Sequence, residues 1–265
     1  MISDQKARDP EIFPDSIWDK IQHIEGWHFR TAAEITWVII RDQVSRNSMF
    51  SALELGVYKG KYLSLISAAA CKSTGPIVGI DALNVGIDDE VTEDIVRDWV
   101  KGVSDCILWV SGDSSRFNFI RSATEAINRD ELQRTFGKFR FISVDAGHEY
   151  ENVINDLGLA QQLLADDGVI AADDVFNCNC PGVVEAVCDH MKTVTGRDMA
   201  PFAHGGNKLF ICRREYHPTY LSLIERYVRL ESTDAGRASQ ALRTQYDGLG
   251  FRAKMFGYEL VSFPI

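Results

Sequence analysis

Ala52-Leu-Glu-Leu-Gly-Val-Tyr-Lys-Gly60, followed by Ile77-Val-Gly-Ile-Asp81, decides how this chain is read. An apolar run ends in an acid, a glycine turn follows, and a helix-like segment leads into a second apolar run that again ends in an acid. That is half of a nucleotide-binding α/β sheet. Gly56 and Gly60 let the backbone turn sharply and approach a ligand, while Asp81 can accept hydrogen bonds from a ribose diol. The spacing is not G-x-G-x-x-G, which brings a helix N-terminus against a pyrophosphate. A ligand with a ribose and no pyrophosphate fits better.

The segment Glu54-Leu-Gly-Val-Tyr-Lys-Gly60 resembles the first motif of class I methyltransferases, and Gly79-Ile-Asp81 resembles their ribose-binding second strand. The resemblance implies S-adenosylmethionine as cofactor. It also implies a set of cofactor contacts: Glu54 at the methionyl end, Gly56, Val57, Tyr58 and Gly60 turning around it, Asp81 at the ribose, and Asp113 with Ser114 beside adenine. Tyr58 departs from the small residues common in this loop, and either faces substrate or packs against the N-terminal segment.

Working outward, strand-like and helix-like segments alternate from Phe50 onward, a βαβ rhythm that predicts a parallel sheet. Predicted strands are Ala52 to Leu55, Ile77 to Asp81, Ile107 to Val110, Phe139 to Asp145 and Gly168 to Asp173. Predicted helices are Lys61 to Ala70, Glu90 to Lys101, Asn118 to Asn128, Glu149 to Leu164 and Gly182 to Val194. Ala200 to Ala203 and Lys208 to Cys212 are separated by four residues, too few for a helical crossover, so they should form a hairpin. Five parallel strands ending in a hairpin resemble the seven-stranded methyltransferase sheet. The expected fold is α/β and Rossmann-like, with helices on both faces and helical additions at both termini: residues 1–48 as a helical preamble, 49–214 as the core, and 215–265 as a helical extension with an apolar, aromatic tail.

Composition bounds the partners. The 265 residues carry a net charge of -10 and 45% hydrophobic content, so a nucleic-acid backbone or an anionic membrane is not the expected partner. The N-terminus lacks a signal-peptide core and no apolar run spans a bilayer, which predicts a cytoplasmic protein. The terminal extensions are candidates for a homo-oligomer contact. Six cysteines read as reduced thiols. Cys178, Cys180, Cys188 and His190 invite a zinc reading, but C-x-C-x7-C-x-H departs from the usual C-x2-C knuckles.

Acids recur where strands should end: Glu54, Asp81, Asp113, Asp145 and the pair Asp173-Asp174. Consecutive parallel strands would bring Asp145, Asp173 and Asp174 together, and three like charges repel unless a cation neutralises them or a proton is shared. A hard divalent ion, Mg²⁺ first and Mn²⁺ or Ca²⁺ next, suits an oxygen-only ligand set. The phrases Asp145-Ala-Gly-His-Glu-Tyr-Glu-Asn-Val-Ile-Asn-Asp-Leu157, Asp167-Gly-Val-Ile-Ala-Ala-Asp-Asp174 and Pro181-Gly-Val-Val-Glu-Ala-Val187 resemble metal-dependent O-methyltransferases. The match is to the macrocin and mycinamicin sugar O-methyltransferase group and cephalosporin-hydroxylase-like proteins, with a catechol-type site layout. That resemblance implies Asp145, Asp173 and Asp174 as metal ligands and His148, three residues after Asp145, as the catalytic base. With a reference pKa of about 6.5, a neutral imidazole would be plentiful at cellular pH; the competing reading is a helix-capping histidine. The expected acceptor is a hydroxyl of a small molecule or glycan, a sugar first and a catechol or phenol second, with a non-catalytic cofactor-binding relative as the alternative. An NAD-linked oxidoreductase is disfavoured by the missing pyrophosphate fingerprint, and an iron oxygenase by the absence of an evident 2-His-1-carboxylate set.

Overall fold

The computed structural model describes residues 9–83, 91–230, 233, 236–237 and 252–263. Its centre is one nine-stranded sheet in the order β3-β2-β1-β4-β5-β7-β6-β9-β8. Strands β1 (Ala52–Leu55), β2 (Ile77–Asp81), β3 (Phe117–Arg121), β4 (Phe139–Val144) and β5 (Leu164–Ala172) run parallel. The hairpin of β6 (Met199–Gly205) and β7 (Lys208–Arg213) follows, with β7 antiparallel to β5. Side chains alternate between two cores, as a sheet covered on both faces requires. Phe141, Val169 and Ala171 face α1 (Asp15–Gln22), α2 (Arg30–Arg46), α3 (Lys61–Ala69), α4 (Glu93–Ser111) and α8 (His217–Tyr227). Ile142, Ile170 and Ala172 face α5 (Arg129–Phe136), α6 (Tyr150–Leu163) and α7 (Pro181–Lys192).

Two expectations fail in one place. Ile107 to Val110 is the end of α4, not a strand, and Asn118 to Asn128 is β3 and the turn after it, not a helix. The physical reason is periodicity. Val103, Ile107 and Val110 are buried at helical spacing while Leu108 and Trp109 are exposed, so the apolar run is one helix face plus two solvent-facing residues. Thr92 caps the helix at Ile95 N, and Gly112 ends it with φ +83°. Strand β3 lies at the sheet edge, where its side chains are only half-buried and mix Asn118 and Arg121 with phenylalanines.

The ends of the chain also differ from expectation. The sheet has nine strands rather than seven because the C-terminal tail forms β8 (Arg252–Met255) and β9 (Tyr258–Ser262), with β9 pairing parallel to β6 through Ala203 and His204. The N-terminal helices are part of the core: Ala32 to Ile40 of α2 are buried throughout.

Candidate active site

A cavity of about 380 Å³ opens at the C-terminal ends of β1, β2, β4 and β5. It is walled by Glu54, Gly56 to Tyr58, Asp81, Asp145 to His148, Asp173 and Asp174, together with residues the sequence reading did not select: Trp27 to Phe29, Ser122 to Glu125, Gly206 and Asn207. This is the crevice outside the carboxyl ends of the strands where open α/β sheets bind ligands.

The glycine turn is built differently from the sequence expectation. Gly56 has φ +83°, and a Cβ there would lie 2.0 Å from the Asp145 carbonyl oxygen, so glycine is required for β1 and β4 to close their ends together. Gly60 has φ +79° and leaves room for the Val103 side chain of α4, where a Cβ would sit at 2.8 Å. Both glycines serve protein-to-protein approach, and the turn they shape then faces the cavity.

Asp81 holds that turn. Its Oδ2 accepts from Val57 N and Tyr58 N, each at 2.8 Å, and its Oδ1 accepts from Leu83 N at 2.7 Å. A carboxylate has about four lone-pair sites, so capacity for a diol remains. Tyr58 both lines the cavity and packs against the N-terminal segment: its ring stacks on Trp27 and its hydroxyl donates to Glu25.

Glu54 is buried, and its Oε2 has no hydrogen-bond partner. Burial, then the charge of Asp145, pushes its carboxyl well above the usual range, with Lys208 pulling the other way. A buried carboxyl with an unpartnered oxygen on a cavity wall is costly unless a ligand supplies a donor. The ammonium of an amino-acid moiety is such a donor, so the wall fits the methionyl end of S-adenosylmethionine.

Opposite the turn lies a charge network. Register brings it together: Asp145 N donates to Leu55 O at 2.9 Å and Asp173 N to Val144 O at 3.0 Å, which sets the ends of β1, β4 and β5 side by side. Lys208, the first residue of β7, reaches in with its side chain 1% exposed. Its Nζ lies 2.5 Å from Asp173 Oδ2, 3.5 Å from Asp145 Oδ2 and 4.2 Å from the centre of the Tyr62 ring. His148 Nε2 lies 3.1 Å from Asp174 Oδ2 and 3.9 Å from Asp145 Oδ1. Asp174, at φ +55°, also accepts from Asn177 Nδ2 at 2.8 Å.

These pairings set protonation. The hydrogen bonds to Asp145 and Asp174 raise His148 to about 10, which runs against the expectation of a mostly neutral imidazole. Burial and the Asp173 charge raise Asp145 above the ordinary carboxylate range. Burial also penalises ionised Asp173, but the Lys208 charge and hydrogen bond outweigh it and hold the group low. Burial would lower Lys208, yet Asp173 and Asp145 keep it firmly protonated.

A divalent ion held by Asp145, Asp173 and Asp174 does not fit this arrangement. The two oxygens that would share it, Asp145 Oδ2 and Asp173 Oδ2, both face the Lys208 ammonium, while Asp174 turns to His148 and Asn177. Nor are Cys178, Cys180, Cys188 and His190 gathered as a zinc set. Among the described residues, the set of three possible ligand atoms that all lie within 4.8 Å of one another belongs to His148, Asp174 and Cys180.

Asp113 and Ser114 are corrected. They precede β3 instead of following it, so they sit at the opposite edge of the sheet, where Asp113 Oδ1 accepts from Ser115 N and Ser114 Oγ meets Ser104 Oγ. The segment that does follow β3 and lines the cavity is Ser122 to Glu125. Placing β3 correctly would have found it. Lys208 also left a signal, a lysine opening the apolar run Lys208-Leu-Phe-Ile-Cys212 in a chain with three acids to neutralise. Trp27 to Phe29 left none.

Residues 53–175 match the family model described as a methyltransferase domain. Over that stretch the chain is similar to a methyltransferase domain. Solved structures agree on the fold. Cofactor-bound Rv0187 from MTB aligns with TM-score 0.53 and 11% identity over 76% of this chain and 88% of that one. SAH-bound PaMTH1, a methyltransferase of Podospora anserina, aligns with TM-score 0.53 and 16% identity over 77% and 90%. MycE, the methyltransferase of the mycinamycin biosynthetic pathway, in complex with Mg, SAH and mycinamycin VI, aligns with TM-score 0.50 and 17% identity over 76% of this chain and 53% of MycE. A search of curated proteins finds no match. Residues 53–175 run from β1 to just past β5, so the match to the methyltransferase domain spans Glu54, Asp81, Asp145, His148, Asp173 and Asp174 but not Lys208. Among the described residues, no helix is long and apolar enough to cross a membrane.

Proposed function

We propose that this chain is an S-adenosylmethionine-dependent O-methyltransferase acting on a hydroxyl of a small molecule or glycan, with a sugar hydroxyl as the first acceptor to test. The observation that carries the reading is the pairing, across one cavity, of the unsatisfied Glu54 carboxyl beside the Asp81-anchored turn with the His148–Asp145–Asp174 cluster. One side accommodates a cation and a diol, the other a group that gives up a proton.

S-adenosylmethionine supplies a methyl group on a sulfonium sulfur that leaves as a neutral thioether. Glu54 would hold the amino-acid end, Asp81 and the turn from Gly56 to Tyr58 the ribose, and Ser122 to Glu125 would border the base. His148 Nε2, once deprotonated, accepts the acceptor hydroxyl's proton as its oxygen lone pair forms the new bond to carbon. Asp145 and Asp174 orient the ring and stabilise the imidazolium that results. Positioning supplies the rest, since an in-line displacement demands that oxygen, carbon and sulfur be collinear. No divalent ion enters the proposal, because Lys208 already faces the oxygens that would hold it. The negative overall charge supports a small-molecule acceptor over a nucleic acid.

Calorimetric titration with S-adenosylmethionine and with NAD tests the cofactor. A mass-spectrometric screen for a methyl added to sugar hydroxyls and catechols, with and without chelator, tests the reaction. Binding of NAD in place of S-adenosylmethionine would overturn the reading.

A further inference from the structure

The cation that three neighbouring carboxylates demand is part of this chain. Lys208 is nearly inaccessible to solvent, its position is fixed by the tight turn at Gly206 (φ +53°) and Asn207 (φ +67°), and β7 is paired on both sides, to β5 and β6. Its ammonium has three donors and no acceptor. It lies 2.5 Å from Asp173 Oδ2 and 3.5 Å from Asp145 Oδ2, with the Tyr62 ring face at 4.2 Å.

We propose that Lys208 is the resident cation of this centre, standing where a divalent ion would otherwise sit, so that the protein works without such an ion; the inference rests on the methyltransferase reading above. A Mg²⁺ ion sits about 2.0–2.1 Å from its oxygens, so one bound to Asp173 Oδ2 would lie within about 5 Å of the ammonium and one bound to Asp145 Oδ2 within about 6 Å. Two positive centres that close in a poorly hydrated pocket repel strongly. The lysine side chain is 1% exposed where it stands against the carboxylates. Lys208 therefore acts as a positioning residue. By engaging Asp145 Oδ2 it leaves Oδ1 turned toward His148 Nε2, and by neutralising Asp173 it keeps two adjacent strand ends from repelling. It does not line the cavity and does not touch the acceptor.

The test is calorimetric titration of the full chain with MgCl₂ after chelator treatment, alongside a titration with S-adenosylhomocysteine on the same preparation. The wild type is expected to give no Mg²⁺ binding while binding S-adenosylhomocysteine. Lys208→Met removes the charge at similar length and should gain Mg²⁺ affinity by about 100-fold or more, the order expected from removing a unit charge a few ångströms from the ion. Lys208→Arg should remain silent to Mg²⁺. Stoichiometric Mg²⁺ binding by the wild type overturns the inference, and so does a folded Lys208→Met protein that stays silent. If Lys208→Met fails to fold, the wild-type and Lys208→Arg titrations decide. A wild type silent to both ligands refutes the methyltransferase reading, while the gain of Mg²⁺ binding in Lys208→Met still decides the role of the lysine.

Discussion

His148 sits between two carboxylates, and this governs how its chemistry should depend on pH. The ion pairs with Asp145 and Asp174 raise it to about 10, and a base must be deprotonated before it can act. kcat/KM should therefore rise with pH through an apparent pKa well above the reference of about 6.5. Replacing Asp174 with Asn removes one of the partners and should move that pKa down toward 6.5; an unmoved profile would dissociate His148 from the rate. His148→Ala should lower the rate by about 10²–10⁴-fold while leaving S-adenosylhomocysteine affinity intact. A helix-capping histidine would instead cost about 1 kcal/mol of stability and no turnover. The same raised pKa has a stability consequence. The ion pair's contribution is fully present below about 6.5 and is lost as pH rises through about 10. Asp173 behaves oppositely: its stabilisation is present above about 3.8 and is lost as pH falls through about 2. Glu54 gives a third residue-scale expectation, with two readouts of opposite sign. Glu54→Gln removes a buried acid that lacks a partner, so the melting temperature should rise, while affinity for S-adenosylmethionine should fall by at least about tenfold with the loss of a charge-assisted hydrogen bond. A melting temperature that falls would mean the carboxyl has a structural partner.

At the scale of elements, what the sequence made legible follows period and punctuation. β1, β2, β4 and β5 are buried on both faces and bounded by acids or glycines, so their apolar runs stand out, and the acids at their ends, Glu54, Asp81, Asp145, Asp173 and Asp174, all reach the cavity. The stretch from Glu93 to Arg121 defeats the same logic. Ile107 to Val110 is as apolar as a strand, and only the wider spacing Val103, Ile107, Val110 reveals a helix face. That one exchange put Asp113 and Ser114 in the place of Ser122–Glu125, the segment that follows β3 and lines the cavity. The glycines follow element packing as well. Gly56→Val would drive a β-branched side chain into the Asp145 backbone at a positive φ, so a loss of several kcal/mol or failure to fold is expected, with cofactor binding lost as a consequence. Gly158, inside α6 with nothing near its missing Cβ, makes the contrast: Gly158→Ala should stabilise by up to about 1 kcal/mol, read as a higher melting temperature.

Across the whole molecule, the active edge of the sheet depends on strands far from it in sequence. Lys208 enters the charge network because β7 lies between β5 and β6, and β6 is in turn held by β9 through Ala203 and His204, with Phe263 N donating to His204 O at 3.0 Å. The tail was legible as apolar and aromatic, but its strand pairing was not, because two short strands carry too little pattern and β9 pairs with residues 58 positions away, Ala203 with Val261 and His204 with Ser262. Leu260, Val261 and Phe263 are buried, and fully burying such a side chain contributes about 1.5–3 kcal/mol. Deleting residues 252–265 should thus remove several kcal/mol and leave β6 as an unpaired edge, a template for association between chains. The expected result is a lower melting temperature together with concentration-dependent light scattering. Because β6 also sets the turn that delivers Lys208, Asp145 and Asp173 should lose their fixed counter-charge in any folded remnant, and S-adenosylhomocysteine affinity should fall with the melting temperature. A truncated chain that keeps both its melting temperature and its ligand affinity would show that β8 and β9 merely decorate the sheet and that the hairpin of β6 and β7 holds Lys208 unaided.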